Sequence, residues 1–177
     1  MINIRLIEES DAPIISQAFS TQGWHKPAEQ YVRYWHESQA GTRAVLIAEA
    51  EGEFAGYLTI MWQSGYPPFF EANIPEVVDF NVLQKFQRQG IGTALMDEAE
   101  RLIAQRSNVA GIGFGLMHDY GNAQILYAKR GYIPDGRGVF GHGRWLKEGD
   151  QITMGHDIAL YLTKNVQHLQ TDEKIVK

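Results

Sequence analysis

The chain has 177 residues, no cysteine and a formal charge of −5 at pH 7, and 44% of its residues are hydrophobic. These values exclude a disulfide framework and a thiolate metal site, and they argue against a nucleic-acid partner, which usually meets a basic surface. They favour one globular domain with a cationic small molecule as partner. The sequence shows neither a secretory leader nor an apolar run long enough to span a membrane, so we expect a cytoplasmic protein.

The N-terminal part predicts a strand, two helices, a hairpin and a loop. In chain order these are a strand at 2–6, a helix capped by Ser10 or Asp11, a helix that begins at Pro27, and an antiparallel hairpin of 43–50 and 53–62 around a Glu51-Gly52 turn. The prolines and glycine of segment 63–75 predict a loop that carries aromatic side chains.

The middle of the chain carries a glycine turn between a strand and a helix. An apolar run at 77–82 predicts the strand, and segment 92–106 has the apolar stripe of an amphipathic helix. The turn from Phe86 to Thr93 joins them and contains two glycines. Glycines let a ligand approach the backbone, and the free amides at a helix N-terminus attract an anion. The sequence therefore predicts a phosphate site at this turn.

Two better-known phosphate motifs do not fit this turn. A dinucleotide fingerprint needs a third small residue three positions after the second glycine, where Leu95 stands, and it needs the glycines directly after the strand. A P-loop ends in Gly-Lys-Ser or Gly-Lys-Thr, but Gly92 is followed by Thr93 and Ala94. An ordinary loop with two glycines stays open as the alternative.

The C-terminal half predicts further strands, a short helix and a long loop. In chain order these are a glycine-alternating strand at 111–117, a helix at 123–130 ended by Gly131, a strand that opens at Tyr132, a glycine-rich loop at 135–156 with room for a hairpin, and a strand at 157–163. We expect residues 1–165 to form a single domain and the polar tail, 166–177, to be disordered at its end.

Two motifs resemble those of the GNAT superfamily of N-acetyltransferases. Gln87-x-x-Gly90-x-Gly92, after the strand that ends at Val82, is similar to the Gln/Arg-x-x-Gly-x-Gly/Ala acyl-CoA signature. Segment 123–132 resembles the second motif, in which a Leu-Tyr pair precedes a charged stretch and Gly-Phe or Gly-Tyr. The resemblance implies an α/β fold of GNAT type: a mixed, mostly antiparallel sheet flanked by helices on both faces, with a splayed central strand pair.

The resemblance also implies a site for acetyl-CoA as co-substrate, without a metal. Backbone groups at the end of the strand would pair with the pantetheine arm, and amides of the turn would hold the pyrophosphate. By motif position the cofactor-binding residues are Phe80, Asn81, Val82, Gln87, Arg88, Gln89, Gly90, Ile91, Gly92 and Thr93. Asn122 is a further candidate that departs from the pattern, because the family's asparagine would fall at Tyr120. Asn122 could instead cap a helix that begins at Ala123.

Three residues are candidates for catalysis. Tyr127 resembles the tyrosine that protonates the departing CoA thiolate in this family, and a core tyrosine is the alternative. Glu76 precedes Val82 by six positions, where some family members place a general base. Asp79 competes, because its apolar neighbours would desolvate it and make it a better base. Alternation along the strand places Glu76 and Phe80 on one face and Asp79 on the other, so at most one carboxylate should face the site unless a bulge intervenes.

Other polar and aromatic residues are less specific. His118, His142, Arg144 and Trp145 could line the acceptor side, but a solvated loop explains them as well. Trp24 is the best aromatic candidate for a wall of the acceptor pocket. No histidine pair has the spacing of metal ligands, so we predict no metal site.

The resemblance implies transfer of an acetyl group from acetyl-CoA to a primary amine, by direct attack through a tetrahedral intermediate. We expect a small cationic acceptor from the acidic balance and from Glu71, Glu76 and Asp79. An antibiotic is one option, since the chain has some similarity to streptothricin acetyltransferases. A protein or peptide N-acetyltransferase and a non-catalytic acyl-CoA-binding or sensing module stay open as alternatives. A homodimer is compatible with the sequence.

Overall fold

An eight-stranded sheet organises residues 1–170, the part of the chain that the computed structural model describes. Its strands are β1 (Ile2–Leu6), β2 (Arg43–Ala50), β3 (Glu53–Met61), β4 (Glu76–Val82), β5 (Val109–Gly115), β6 (Ile133–Gly141), β7 (Arg144–Trp145) and β8 (Ala159–Asn165). They lie in the order β1-β2-β3-β4-β5-β8-β6-β7, and only the β4–β5 pair of this described sheet is parallel. This arrangement confirms the predicted mixed, mostly antiparallel sheet.

Helices cover both faces of the sheet. They are α1 (Asp11–Thr21), α2 (Ala28–Gln39), α3 (Pro67–Glu71), α4 (Ile91–Ala104) and α5 (Gly121–Lys129). Tyr57 of β3 lies on the face that carries α1 and α2, because its ring meets Phe19 edge-on at 5.8 Å and its hydroxyl accepts a hydrogen bond from Tyr31 at 3.2 Å. Helix α4 lies on the other face, where the ring of Phe80 in β4 packs beside Gly92. Within residues 1–170 no helix is both long and apolar enough to cross a membrane.

The β2–β3 hairpin and helix α4 form where their sequence patterns predict them. Glu51 and Gly52 both have positive φ, 56° and 81°, as a two-residue hairpin turn requires. Most of the apolar stripe of α4 is buried against its face of the sheet; the buried members are Ile91, Leu95, Met96, Ala99 and Ile103.

Strands β4 and β5 separate after two paired residues. Glu76 pairs with Gly111 and Val77 pairs with Ile112, and no later residue of β4 pairs with β5. Beyond this point β4 still pairs on its other side with β3, through Val78, Asn81 and Val82. Its edge toward β5 therefore carries backbone donors and acceptors that no strand of the described sheet satisfies, which leaves room for an extended ligand.

The alternating glycines of β5 make space for aromatic rings. A Cβ atom at Gly111, Gly113 or Gly115 would lie 2.3 Å from Phe69, 2.9 Å from Tyr161 and 2.6 Å from Tyr120, respectively. Real side chains do not tolerate such contacts, so each glycine is required by the ring that lies over it. This agrees with the close approach that the glycine pattern predicts, and it places three aromatic rings along β5.

The structure differs from the sequence prediction at three places outside the sheet centre. The predicted aromatic loop contains the short helix α3, in which Pro67 and Pro68 occupy the first turn, where no amide hydrogen is needed. The strand predicted to open at Tyr132 runs on as β6 into the predicted loop at 135–156, and the hairpin for which that loop had room forms with β7, where Phe140 lies opposite Trp145. The predicted tail opens with buried Val166 and a 3₁₀ turn at 167–170, and residues 171–177 lie outside the described part.

Candidate active site

A bulge in β4 sets which side chains reach the site. Tyr57 pairs with Asn81 and Thr59 pairs with Val78, so Leu58 alone faces both Asp79 and Phe80. Directly paired residues share a face, which places Glu76, Val78 and Asn81 with Tyr57 on the α1/α2 face. The prediction that Glu76 and Phe80 share a face is therefore wrong. The extra residue reverses the alternation, and Phe80 points toward α4.

Asp79 occupies the bulge with a positive φ of 48°, which is uncommon outside glycine. Its carboxylate accepts hydrogen bonds from four different residues. Oδ2 accepts hydrogen bonds from Tyr34 at 2.9 Å and from Gln30 at 3.0 Å, both on α2. Oδ1 accepts from Asn81 at 2.9 Å and from Lys26 at 3.4 Å. These bonds tie the bulge to α2 and to the loop between α1 and α2.

A set of tyrosines extends this network on the α1/α2 face. The Tyr57 hydroxyl lies at the centre, 2.9 Å from Lys26 Nζ, 3.2 Å from Asn81 Nδ2 and 3.2 Å from the Tyr31 hydroxyl. Burial and the Asp79 charge raise the pKa of Tyr57 far above its ordinary value and that of Tyr34 to about 12. Both phenols are therefore neutral hydrogen-bonding groups at physiological pH. The sequence shows only that Tyr31 and Tyr34 have helical spacing, and this spacing gives no sign of a polar network.

Glu76 lies in a different environment from Asp79. It is buried, and Oε2 accepts a 2.5 Å hydrogen bond from the Ser64 hydroxyl, which also accepts from the Tyr66 amide. Burial raises the pKa of Glu76, partly offset by the Ser64 bond. Glu71, the third member of the acidic set, is exposed on α3. The three carboxylates that the sequence analysis grouped thus have separate surroundings.

The glycine turn presents free backbone amides at the start of α4. Gly90 adopts φ 85° and precedes the helix, and Arg88 has φ 61°. The first helical bond of α4 runs from the Ala94 amide to the Gly90 carbonyl at 3.0 Å, so the amides of Gly92 and Thr93 precede the helical ladder. Alternating left- and right-handed residues before a helix form a concave array of amides that suits a phosphate.

The remaining turn residues support this backbone shape. The Gln87 side chain donates to the Val82 carbonyl at 3.3 Å, and the Gln89 side chain donates to the Lys85 carbonyl at 2.9 Å. Ile91 is buried in the core, so only its amide is available to a ligand. The side chains thus hold the turn, and its backbone carries the predicted phosphate contacts.

Tyr127 lies in α5, packed between Phe114 and Tyr132. It is 5% exposed, and burial raises the pKa of its phenol well above the ordinary value. Its hydroxyl makes no hydrogen bond within residues 1–170. The oxygen is nevertheless not completely buried, so a ligand can contact it. A protonated hydroxyl that is free to donate fits the proton donor that the family resemblance implies.

A buried ion cluster, absent from the sequence prediction, fixes α5 against α4. The Arg130 guanidinium contacts both carboxylate oxygens of Glu100 at 2.9 Å and Asp97 at 2.7 Å, and Lys164 of β8 contacts Glu100 at 2.6 Å. Glu100 is 3% exposed. Because removal of one partner from such a cluster leaves a buried charge, it holds the helix of Tyr127 firmly. The sequence gives only charged residues on helical faces, which are usually solvated.

The other predicted residues are divided between the site and the surface. Trp24 is 39% exposed and stacks on Phe19 at 5.9 Å, next to Lys26. Asn122 is exposed within the first turn of α5, so the alternative that it caps a helix beginning at Ala123 is wrong: α5 begins at Gly121, and Tyr120 occupies the N-cap position. The candidates in the glycine-rich loop instead stabilise that loop: His142 contacts Asp157, Arg144 contacts Asp150, and Trp145 packs on Phe140. His118 is exposed.

Tyr120, which stands where the family resemblance would place an asparagine, lies in a 3₁₀ turn at 118–120, and its ring covers Gly115 at the end of β5. Its hydroxyl is 3.1 Å from Nδ1 of His156, and burial, with smaller contributions from the charges of Asp119 and Asp79, raises its pKa. No group of three or more His, Asp or Glu residues within 1–170 could hold a metal ion.

Known structures share this architecture. An N-acetyltransferase from Thermoplasma acidophilum in complex with coenzyme A is 14% identical with a TM-score of 0.63, and covers 93% of this chain and 99% of its own. A ribosomal-protein-alanine N-acetyltransferase from Brucella melitensis is 19% identical (TM-score 0.65; 92% and 99% covered). A spermidine N-acetyltransferase chimera from Vibrio cholerae and hSSAT is 12% identical (TM-score 0.67; 96% and 98% covered). At these identities the likeness shows the fold.

No curated protein sequence matches the chain. The model of the acetyltransferase (GNAT) family matches residues 10–132, which include the β4 bulge, the glycine turn and Tyr127. The match extends well beyond the two motifs and covers more than half of the chain. The chain therefore belongs to the GNAT family of acetyl-CoA-dependent acetyltransferases.

Proposed function

We propose that the chain transfers the acetyl group of acetyl-CoA to a primary amine of a small molecule by direct attack. The observation that carries this proposal is the separation of β4 from β5. The free amides at the start of α4 lie nearby, since the Phe80 ring of β4 packs beside Gly92, and the Tyr127 hydroxyl on α5 is unpaired within residues 1–170. The unpaired edge of Phe80, Asn81 and Val82 would bind the pantetheine arm, and the amides of residues 88–93 the pyrophosphate. Asn122 would lie at the edge of this donor site.

The proposed chemistry uses three groups of the chain. The amine nitrogen attacks the thioester carbon, and a backbone amide near Val82 stabilises the tetrahedral oxyanion. Glu76, directly or through one water, takes the proton that frees the lone pair of an acceptor arriving as an ammonium ion. When the C–S bond breaks, Tyr127 donates its proton to the sulfur, whose thiol form has a pKa near ~8.5. The proton that the nitrogen loses as the amide forms returns through water to the Tyr127 phenolate. The products are the N-acetyl amine and free CoA.

We assign the base to Glu76 and a positioning role to Asp79. The two oxygens of Asp79 already accept four hydrogen bonds, so this carboxylate has little capacity left for an incoming proton. Glu76 accepts one bond, and its raised pKa makes it a stronger base than an ordinary glutamate. Asp79 instead holds Lys26, Gln30 and Tyr34 against the bulge.

The closed aromatic segment before β4 supports a small acceptor. Tyr66 stacks on Tyr161 at 3.6 Å and donates to Asp135 at 2.8 Å, and Phe69 lies over Gly111. Segment 63–75 thus covers one side of the α1/α2 face, where a peptide acceptor would need an open groove. The net charge of −5 favours an acceptor that arrives as an ammonium ion.

Release of free thiol from acetyl-CoA, measured across a panel of amines, tests this proposal. The panel contains polyamines, aminoglycosides, streptothricin, amino acids and peptides. We expect turnover with at least one small primary amine and none with a tertiary amine of the same size, which cannot form an amide. Turnover with peptides alone would favour a protein N-acetyltransferase. Thermal stabilisation by CoA without turnover on any amine would favour a sensing module.

A further inference from the structure

Lys26 brings a cation to the acceptor side of the site. It lies in the loop between α1 and α2, and its Nζ donates to the Tyr57 hydroxyl at 2.9 Å and contacts Asp79 Oδ1 at 3.4 Å. The ammonium group also lies over the rings of Phe19 and Tyr57, 5.3 and 5.4 Å from their centroids. About a fifth of the side chain remains exposed, so a ligand on the α1/α2 face can reach it.

In this network Lys26 has an unused hydrogen-bond donor, whereas Asp79 has no unused acceptor site. An ionised carboxylate has about four acceptor sites, and Asp79 uses four. An ammonium has three donors, and Lys26 uses two, the longer one at 3.4 Å. A ligand can therefore add a bond to Lys26 without breaking one, whereas an ammonium ion can bind Asp79 only by displacing a donor. The ligand group that suits the unused donor of Lys26 is an anionic oxygen.

We propose that the acceptor carries a carboxylate close to its reacting amine, and that Lys26 binds this carboxylate. The inference rests on the proposed function, because it assigns the α1/α2 face to the acceptor. Lys26 and Asp79 form a pair without net charge, which gives a simple cationic amine little attraction. The unused donor of Lys26 complements the carboxylate of a zwitterion, and the amine of that zwitterion stays available to Glu76 on the same face of the sheet. The acceptor class is then amino carboxylates, such as free amino acids.

Matched pairs of an amino acid and its decarboxylated amine test the proposal. We would measure kcat/KM by thiol release for phenylalanine against phenethylamine, tyrosine against tyramine, and ornithine against putrescine. The ratio within a pair removes the contribution of the side chain. The wild type should prefer the amino acid in at least one pair. Lys26→Met should lower that preference by roughly tenfold to a hundredfold, the effect expected for one hydrogen bond to a charged group.

Two control variants separate recognition from folding. Lys26→Arg keeps the charge and should retain most of the preference, and Lys129→Met removes an exposed lysine on α5 and should leave the ratio at its wild-type value. Stabilisation by CoA checks that each variant is folded. If the wild type shows no preference in any pair, or if Lys26→Met lowers both members of a pair equally, the inference is wrong while the proposed function stands. If no amine of any class is acetylated, both fail.

Discussion

Tyr127→Phe is expected to lower kcat by roughly a hundredfold or more while the affinity for CoA changes little. The phenol is buried, its pKa is raised, and no residue within 1–170 accepts its proton. It is therefore protonated at neutral pH and available to the leaving thiolate. Removal of the hydroxyl leaves the ring packing against Phe114 and Tyr132, so the fold and the donor site should persist. Pre-steady-state kinetics with acetyl-CoA and the best amine measures the chemical step.

Tyr132→Phe is the matched control, because it removes a buried hydroxyl from the same aromatic cluster. Burial and the nearby Glu100 carboxylate raise the pKa of Tyr132, so its hydroxyl is a neutral group outside the proposed chemistry, and its loss should leave turnover near the wild-type value. Wild-type turnover by Tyr127→Phe would remove Tyr127 from the mechanism. A loss of CoA affinity equal to the loss of rate would make it a binding residue rather than an acid.

Glu76→Gln is expected to abolish the acidic limb of the pH profile of kcat/KM, whereas Asp79→Asn keeps this limb and raises the KM of the acceptor. A general base acts only when it is deprotonated, so activity rises with pH through its pKa. Burial raises the pKa of Glu76, so the wild-type limb should lie above the ordinary glutamate value of ~4.3. We expect Glu76→Gln to lose roughly a hundredfold in kcat/KM at neutral pH.

A thermodynamic measurement supplies the control for Glu76. Because its pKa is higher in the folded state, the folded protein binds more protons between the unfolded and folded pKa values. The free energy of unfolding therefore falls as pH rises through that window, and Glu76→Gln should remove this fall. An acidic limb that disappears only in Asp79→Asn would transfer the role of base to Asp79. A limb that both variants retain would place the base outside β4.

The glycine turn and helix α4, where we propose that the donor binds, are predictable from the sequence because they are local. The turn from Phe86 to Thr93 and helix α4 follow one another in the chain, and glycine spacing reports their backbone shape directly. The strand at 111–117 is likewise local: its glycines predict close approach, and the rings of Phe69, Tyr161 and Tyr120 lie over them. In each of these cases the residues of one short segment are enough to predict its local structure.

The acceptor side depends on contacts between distant segments. Lys26 meets Asp79 from a loop 53 positions earlier, and Tyr66 meets Asp135 across 69 positions. The bulge at Asp79 and Phe80 contains neither glycine nor proline. The alternation of residues along the strand therefore gives no sign that a bulge is present. The resulting reversal of faces brings Asp79 and Asn81 onto the α1/α2 face. It also explains why alternation alone misplaced Phe80.

Product analysis with acetyl-CoA labelled in its acetyl group tests the central claim most directly. Enzyme, labelled acetyl-CoA and the best acceptor of the panel are mixed and quenched during the first turnovers, and mass spectrometry follows the label on the amine and on the protein. We predict that label appears on the amine nitrogen in step with the release of free CoA, without a labelled protein species that forms and decays at the rate of turnover. Such a species, or release of labelled acetate with the amine unmodified, would contradict direct transfer to an amine at the β4–β5 splay.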